Sequence, residues 1–253
     1  MAAGLRRSFD EGFAARGRSQ QVHDLFNTVL GLPPEVEPNS FLTLAALHDI
    51  ASALDLAPGA RLADLGCGRG GVGLWLSRHL DATLLGVDFS AAAVGQARNR
   101  RPLFDRTRRA HFWVADQAAT GLRAASVDAA LSVDAVQFSP DPVAALREAR
   151  RILPPGARYV LTNWQPRDPA DPRIPPRTAA LDFPAMLTTA GFRVLDVQDR
   201  PDLLDRQQAI FDAALAAPAT DDPALARLRD EATFLAHWPE TMRRLLITAE
   251  NPG

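Results

Sequence analysis

Residues 62–76 read LADLGCGRGGVGLWL, a short apolar run that meets a cluster of glycines and continues into a helical pattern. Gly66, Gly68 and Gly70 lack a Cβ, so the backbone can turn sharply there and a ligand can approach the main chain at the start of the following helix. Asp64 adds a carboxylate beside the turn. The segment predicts a strand, a turn and a helix that together hold a nucleotide-type cofactor.

The glycines alone leave the class of cofactor open. Gly66, Gly68 and Gly71 also match the G-x-G-x-x-G pattern of dinucleotide-binding folds, which is a weak signal by itself. A second apolar run over residues 82–88 ends in Asp88. An acid at the end of that strand can accept hydrogen bonds from both hydroxyls of a ribose. The two segments together predict a nucleoside-binding site.

The next two strand candidates distinguish between the cofactors. Residues 110–115 lead into Asp116 and Gln117, a carboxylate and an amide that can pair with the exocyclic amine and a ring nitrogen of adenine. Residues 127–133 form a fourth apolar run, and Asp134 follows it. Four successive strand candidates thus have a carboxylate at or near their ends: Asp64, Asp88, Asp116 and Asp134. This pattern indicates one site at the carboxyl edge of a sheet.

In this order the segments resemble the class I S-adenosylmethionine (SAM)-dependent methyltransferases of the small-molecule type. The resemblance covers residues 42–199 and rests on a set of motifs: the D-x-G-x-G turn, the acids after the second and third strands, and an R-x-L-x-P-G turn written RILPPG over residues 151–156. It implies SAM as the cofactor and S-adenosylhomocysteine (SAH) as its product. The implied activity is methyl transfer to an O, N or C atom of a small, partly apolar metabolite in natural-product metabolism.

The resemblance also implies which residues contact the cofactor. The glycine turn would face the methionine part of SAM, and Asp88 would bind its ribose. The complete cofactor set expected on this basis is Asp64, Gly66, Cys67, Gly68, Gly70, Asp88, Phe89, Asp116, Gln117, Ser132 and Asp134.

The chemistry of the acceptor is less defined. Many small-molecule members of the family have a histidine after the fourth strand, whereas this chain has Gln137, which cannot take a proton at neutral pH. His23 and His237 lie in the two segments expected to cover the site, and with Gln137 they are the catalytic candidates. Orientation alone can supply much of the rate, so a strong base is optional. The residues expected to line the acceptor pocket are Phe41, Gln137, Phe138, Asn163, Trp164 and Trp238.

The alternation of apolar runs and helical patterns predicts an α/β fold, a Rossmann-like three-layer sandwich with a helical cap. Alternation at this spacing implies right-handed crossovers and a mostly parallel sheet. The resemblance implies that the last of seven strands runs antiparallel beside the fifth. The predicted strands are 61–65, 82–88, 110–115, 127–133, 157–164, 192–198 and 243–249.

We divide the chain into four parts. Apolar residues at helical spacing predict helices over 19–30 and 41–56, whereas the polar, glycine-containing residues 1–18 are predicted to be a mobile tail. A further helix is predicted over 179–190. The parts are an N-terminal helical lid (1–57), a SAM-binding core (58–201), a helical cap insertion (202–238) and the final core strand (239–253).

Composition excludes several classes of protein. All 28 basic residues are arginines, so the chain has no lysine for a pyridoxal-phosphate Schiff base or a phosphate-binding P-loop. Cys67 is the single cysteine, which excludes an intrachain disulfide and a cysteine-based metal cluster. We expect no metal.

Charge and hydrophobicity indicate the partners. A net charge of −2 and 47% hydrophobic residues are typical of a globular protein that does not bind polyanions. Six arginines between Arg98 and Arg109 look like an RNA-binding patch, but they precede the third strand, away from the cofactor, and we expect a solvated face. The expected partners are a small-molecule acceptor and, in a homodimer, a second copy of the chain, with neither nucleic acid nor membrane.

The expected location is the cytoplasm of a bacterium. No run approaches the ~18 apolar residues of a membrane-spanning helix, and the N-terminal residues lack the apolar core of a signal peptide. The absence of lysine beside abundant alanine, arginine and proline is typical of a GC-rich bacterial genome.

Two alternatives stay open. A methyltransferase-like protein could lack methyl transfer and instead template another reaction or bind a partner. An NAD(P)-dependent reductase could use the same sheet, although no Tyr-x-x-x-Lys pair exists without lysine, and the only tyrosine, Tyr159, lies in a predicted strand.

Overall fold

A seven-stranded sheet forms the centre of the computed structural model, which describes residues 3–218 and 221–253. Residues 1, 2, 219 and 220, which fall in the predicted tail and cap, lie outside the described residues. The strands are β1 (Arg61–Leu65), β2 (Thr83–Asp88), β3 (Ala110–Val114), β4 (Ala129–Val133), β5 (Arg158–Pro166), β6 (Arg193–Asp199) and β7 (Met242–Glu250).

The strand order is β3-β2-β1-β4-β5-β7-β6. Strands β1 to β5 pair in parallel, whereas β7 lies between β5 and β6 and pairs antiparallel with both. This confirms the predicted α/β sandwich with an antiparallel last strand beside the fifth. The carboxyl ends of β1, β2 and β4 meet at one edge of the sheet, where ligands bind in such folds.

Eleven helices are described alongside the sheet. Most begin at residues that favour helix N-termini: for example, Asp141 accepts a hydrogen bond from the amide of Ala144, and Pro142 occupies the first turn. The helices are α1 (Ala3–Arg16), α2 (Gln20–Leu30), α3 (Leu44–Leu54), α4 (Gly71–His79), α5 (Ala91–Arg100), α6 (Pro142–Ile152), α7 (Pro176–Ala179), α8 (Phe183–Thr189), α9 (Pro201–Ala216), α10 (Pro223–Phe234) and α11 (Trp238–Thr241).

Both faces of the sheet are covered. Leu62 of β1 belongs to an apolar cluster shared with helices α2, α3, α9 and α10. Leu65 of the same strand belongs to a second cluster, which it shares with α6 and α8. A central parallel strand is buried on both sides, which explains its nearly continuous apolar sequence. Among the described residues, no helix combines the length and the apolar character that crossing a bilayer requires.

The prediction of a mobile tail over residues 1–18 is wrong. Residues 3–16 form α1, because Leu5, Phe9 and Phe13 recur every four residues and so lie on one face of a helix. Phe13 is buried, and the ring of Phe9 lies 5.2 Å from the rings of both Phe89 and Phe138. The helix therefore packs over the edge of the sheet where the strands end.

Two other predictions need correction. The helix expected over 179–190 is instead the pair α7 and α8, because Asp182 caps a new helix. The arginine cluster before β3 is not simply a solvated face: Arg100 and Arg106 are buried. Arg100 donates to the carbonyls of Glu35 and Arg69, so it supports the glycine turn from outside.

Replacing Phe13 with alanine should release α1 from the sheet. The Phe13 ring comes within 3.5 Å of the position a Cβ on Gly68 would occupy, and losing a buried phenylalanine costs about 3–5 kcal/mol. We expect faster amide hydrogen exchange over residues 3–16 and unchanged exchange in β1 and β4. Arg7→Ala, at an exposed position of the same helix, is the control. Equal protection of α1 in both variants would contradict this packing.

Candidate functional site

A cavity of about 820 Å³ lies at the carboxyl ends of β1, β2 and β4. Its size falls in the range of small-molecule binding sites, about 300–1,000 Å³. Its lining comes from the loops after these strands, from α1, from residues 37–41 and from α10. As expected, parts of the N-terminal segment and of the cap insertion lie near this edge of the sheet, because residues of α1 and α10 line the cavity.

The glycine turn forms the floor of the cavity. Gly66 has φ +81°, and a Cβ there would stand 2.4 Å from the Cβ of Ala135. Gly70 has φ +77° and is the N-cap residue directly before α4. The amides of Gly66 and Cys67 both donate to the carbonyl of Val87, at 2.8 and 2.9 Å, which ties the turn to β2. A larger residue at Gly66 would be strained and would displace its neighbour.

Asp88, the last residue of β2, is fixed on both sides. Its Oδ2 accepts a hydrogen bond from the Gly68 amide at 2.8 Å, and its Oδ1 accepts one from the Ser90 amide at 2.8 Å. Burial raises the pKa of Asp88 to about 6 against the effect of these two hydrogen bonds, and Asp10 of α1 raises it further. Each carboxylate oxygen can accept a second hydrogen bond, so the side chain can receive a diol from the cavity.

Asp64 is a buried carboxyl that borders the cavity. Burial raises its pKa to about 7, and the negative charge of Asp88 adds to this effect. Its Oδ2 lies against the first turn of α4, 2.4 Å from where a Cβ on Gly73 would stand. A cation arriving in the cavity would favour the ionised form. This arrangement suits a ligand that carries an ammonium or sulfonium group.

The two residues after β3 have different surroundings. Gln117 lines the cavity, and its Nε2 donates to the carbonyl of Ala135 at 3.2 Å. Its Oε1 has no partner among the described residues and can accept a hydrogen bond from a ligand. Asp116 does not line the cavity, because its Oδ1 accepts from the amide of Ala118 at 3.0 Å within a short turn.

Two further predicted cofactor residues, Cys67 and Phe89, line the cavity, whereas Ser132 does not. Burial raises the pKa of the Cys67 thiol well above its usual value, so the thiol stays protonated. Ser132 is fully buried within β4, away from the cavity.

Asp134 lines the cavity in an ion pair that the sequence did not predict. Its Oδ2 accepts a hydrogen bond from Arg244 of β7 at 2.5 Å, and its Oδ1 accepts one from the hydroxyl of Thr162 at 3.1 Å. Arg244 is 1% exposed and also donates to Gln207 at 3.2 Å. Asp134 is therefore held in an ion pair with a buried arginine. The only local signal was an arginine inside an apolar strand.

The candidate histidines lie outside the cavity lining. The Nε2 of His23 is 3.0 Å from the carbonyl of Pro34 and 3.4 Å from a carboxylate oxygen of Glu37. The Nε2 of His237 is buried without a partner among the described residues. Neither imidazole reaches the space where an acceptor would bind.

The predicted acceptor aromatics divide into two layers. Phe41 and Phe138 line the cavity directly. Trp164 packs behind Phe138 with ring centroids 6.3 Å apart, and Trp238 packs against Trp164 at 4.4 Å. The two tryptophans therefore support the wall instead of forming it.

The two predicted acceptor amides are buried. Gln137 and Asn163 do not line the cavity, and the oxygen and nitrogen of each amide have no partner among the described residues. Unpaired buried amides are costly, so a bound ligand or water that reached them would stabilise the protein.

The wall that α1 and α10 form was only partly predicted. Leu228 and Glu231 of α10 line the cavity together with Arg16 of the adjacent helix α1, and Arg227 and Phe234 of α10 also line it. A cover from the cap insertion was expected, but its inward side chains were not identified. Their signal is the spacing of three or four residues along α10.

Comparison with known proteins relates this chain to methyltransferases. A family model described as a methyltransferase domain matches residues 63–161. An O-methyltransferase of Penicillium expansum is 29% identical over 162 residues, covering 60% of this chain and 59% of that protein. An O-methyltransferase of Pyrenophora dematioidea is 27% identical, covering 60% and 61%. The chain thus spans about three fifths of the length of these two relatives.

Solved structures share the fold. The [4+2]-cyclase SpnF superposes with a TM-score of 0.70 at 23% identity, covering 82% of this chain and 80% of that one. A geranyl diphosphate methyltransferase in complex with SAM superposes with a TM-score of 0.66 at 18% identity, covering 89% and 94%.

Removing Arg244 should destabilise the protein strongly. Arg244→Ala would leave the Asp134 carboxylate without its ion-pair partner, and breaking a buried pair costs about 3–5 kcal/mol. Urea unfolding measures the loss. The double variant Asp134→Asn with Arg244→Met, which removes both charges, should recover most of the stability. A loss under about 1 kcal/mol in the single variant would show that the pair contributes little.

The raised carboxyl pKa values predict a pH dependence. The folded protein keeps protons on Asp64 and Asp88 up to pKa values of about 7 and 6, whereas the unfolded chain releases them near 3.8. The free energy of unfolding should therefore fall as pH rises from about 4 to about 7. Asp64→Asn cannot ionise, so its stability relative to wild type should grow over this range, by on the order of 4 kcal/mol.

Urea unfolding at several pH values measures this difference. Asp196→Asn, at an exposed position of β6, is the matched control and should follow the wild-type curve. Parallel curves for Asp64→Asn and wild type would show that Asp64 ionises normally.

Proposed function

We propose that this chain acts as a class I SAM-dependent methyltransferase and transfers a methyl group to an O, N or C atom of a small, partly apolar metabolite. The observation that carries the proposal is the Asp88 carboxylate, which two backbone amides hold at the cavity beside the glycine turn. Such a carboxylate suits the two hydroxyls of a ribose.

The residues around the cavity fit SAM. We assign the ribose to Asp88, the positively charged methionine end to the glycine turn and Asp64, and the adenine to Phe89 and Gln117. When bound, SAM supplies an activated methyl group on a sulfonium. The residues of the chain then have to orient the acceptor and exclude water, which can account for much of the rate.

The acceptor would bind in the remaining part of the cavity, between α1 and α10. Phe9, Phe41 and Phe138 line this space and favour a partly apolar molecule. Because neither His23 nor His237 lines the cavity, we propose that methyl transfer does not use a histidine base. The relatives similar in sequence are methyltransferases, so the reductase alternative gains no support.

Several finer assignments belong to this proposal. A role in natural-product biosynthesis is supported by the likeness to the 27-O-demethylrifamycin SV methyltransferase of Amycolatopsis mediterranei, which is 31% identical over 115 residues. The proposal also includes a bacterial, cytoplasmic setting, a homodimer, and no nucleic-acid or membrane partner. It includes the division of the chain into a lid, a core, a cap and a final strand.

A labelling experiment tests the proposal. Wild-type protein incubated with methyl-labelled SAM and a metabolite extract should yield a labelled small molecule by mass spectrometry. Asp88→Ala should weaken SAH binding by a hundredfold or more and abolish labelling, because the ribose loses its carboxylate and the amides of Gly68 and Ser90 lose their acceptor. Asp196→Ala, on exposed β6, should behave as wild type. Tight SAH binding by Asp88→Ala would refute the assignment.

A further inference from the structure

Glu231 of α10 borders the cavity beside α1, and its side chain is exposed there. Among the described residues, no group donates a hydrogen bond to it and no cation lies within 4 Å. The protein around it still removes enough water to raise its pKa, against the nearby charges of Arg227 and Arg16. Its carboxylate therefore has unfilled hydrogen-bonding capacity.

Arg16 of α1 provides a fixed positive charge on the same part of the wall. Its guanidinium lies 3.7 Å from the centroid of the Phe26 ring, and its Nη2 donates to the carbonyl of Pro38 at 3.4 Å. Its Nε is buried without a partner among the described residues. Burial lowers the pKa of Arg16 to about 9, so it remains charged at neutral pH.

Two exposed residues of α10 accompany this pair. Arg227 donates to the hydroxyl of Ser8 on α1 at 2.9 Å, and Asp230 borders the cavity beside it. With Glu231 and Arg16 they make two negative and two positive charges, and the ion pair of Glu37 with Arg69, which also lines the cavity, adds one charge of each sign. This part of the wall is therefore balanced in charge while one carboxylate lacks a hydrogen-bond donor.

Charge balance determines which polar group fits here. A ligand carboxylate would be repelled by Glu231, and a ligand ammonium would be repelled by Arg16 and Arg227. An uncharged hydroxyl adds no charge and donates the hydrogen bond that Glu231 lacks. Hydrogen bonds to a charged partner contribute more than neutral ones.

The surroundings suit an apolar body attached to that hydroxyl. Leu5 of α1 and Leu228 of α10 line the same cavity as Glu231. Phe234, one turn further along α10, also lines the cavity and is 69% exposed. A large exposed phenylalanine at a cavity is a place where an apolar ligand gains contact area.

We propose that Glu231 determines acceptor specificity: its carboxylate accepts a hydrogen bond from an uncharged hydroxyl of the acceptor, whose apolar body packs against Leu228 and Phe234. The acceptor is then an alcohol or phenol with an apolar framework. This inference rests on the proposed function, because it describes the acceptor half of the same cavity.

Binding of three probes that share one apolar body tests the inference. Calorimetric titration of the SAH-saturated protein with naphthylmethanol, naphthylmethylammonium and naphthoate compares a hydroxyl, a cation and an anion. We expect wild type to bind naphthylmethanol about tenfold more tightly than either charged probe. Glu231→Gln should weaken naphthylmethanol binding by about tenfold and strengthen naphthoate binding, because Arg16 and Arg227 then face one negative charge fewer.

Controls separate specificity from folding. Glu11→Gln is the same substitution at an exposed position of α1 and should keep the wild-type order of affinities. Glu231→Asp should keep the order with reduced affinity, and SAH affinity should be unchanged in all variants.

The inference fails if wild type does not bind naphthylmethanol, if a charged probe binds as tightly, or if Glu231→Gln keeps the wild-type order. The proposed function fails by a different result. In that case SAH does not bind, or no methyl group is transferred from SAM, whatever the order of the probes.

Discussion

The two backbone hydrogen bonds to Asp88 hold the ligand-binding edge together. Through them one carboxylate joins the end of β2, the glycine turn after β1 and the start of α5. The turn can also lie against the loop after β4, because Gly66 has no Cβ to meet Ala135. Burial makes the arrangement costly for a charged group, as the raised pKa of Asp88 shows. A ligand that donates to this carboxylate would recover part of that cost.

Helix α1 links this edge to the rest of the cavity. Asp10 accepts hydrogen bonds from the hydroxyl of Ser90 and the amide of Ala92, so the N-terminal helix caps α5 next to Asp88. Phe9 of the same helix packs between Phe89, on the side of the proposed adenine site, and Phe138, on the acceptor side. The same helix thus contacts both halves of the cavity, which excludes water from the space between them.

Local patterns predicted the parts of the molecule that local chemistry controls. The strand, turn and helix around Gly66 and the alternation of strands with helices follow from short segments, whereas the antiparallel last strand was implied by the family resemblance. Arg244 could not be assigned, because its partner Asp134 is 110 residues away in sequence and only the pairing of β7 brings them together. The prediction of a mobile tail failed because polar residues outnumber Leu5, Phe9 and Phe13 in that segment. These three apolar side chains hold the helix in place only because the rest of the fold provides a cavity for them to line. The sequence also could not show which side chains after a strand point into the cavity. Gln117 lines the cavity, whereas its neighbour Asp116 closes a turn.

The central claim is that Asp88 and the glycine turn form the nucleoside site of a methyl-donor cofactor. A crystal structure of the protein in complex with SAH tests this most directly. The account predicts both ribose hydroxyls within hydrogen-bonding distance of the Asp88 carboxylate, with the homocysteine end over Gly66 and Gly68. A structure in which SAH binds elsewhere, or in which α1 occupies this space and the ligand is excluded, would contradict it.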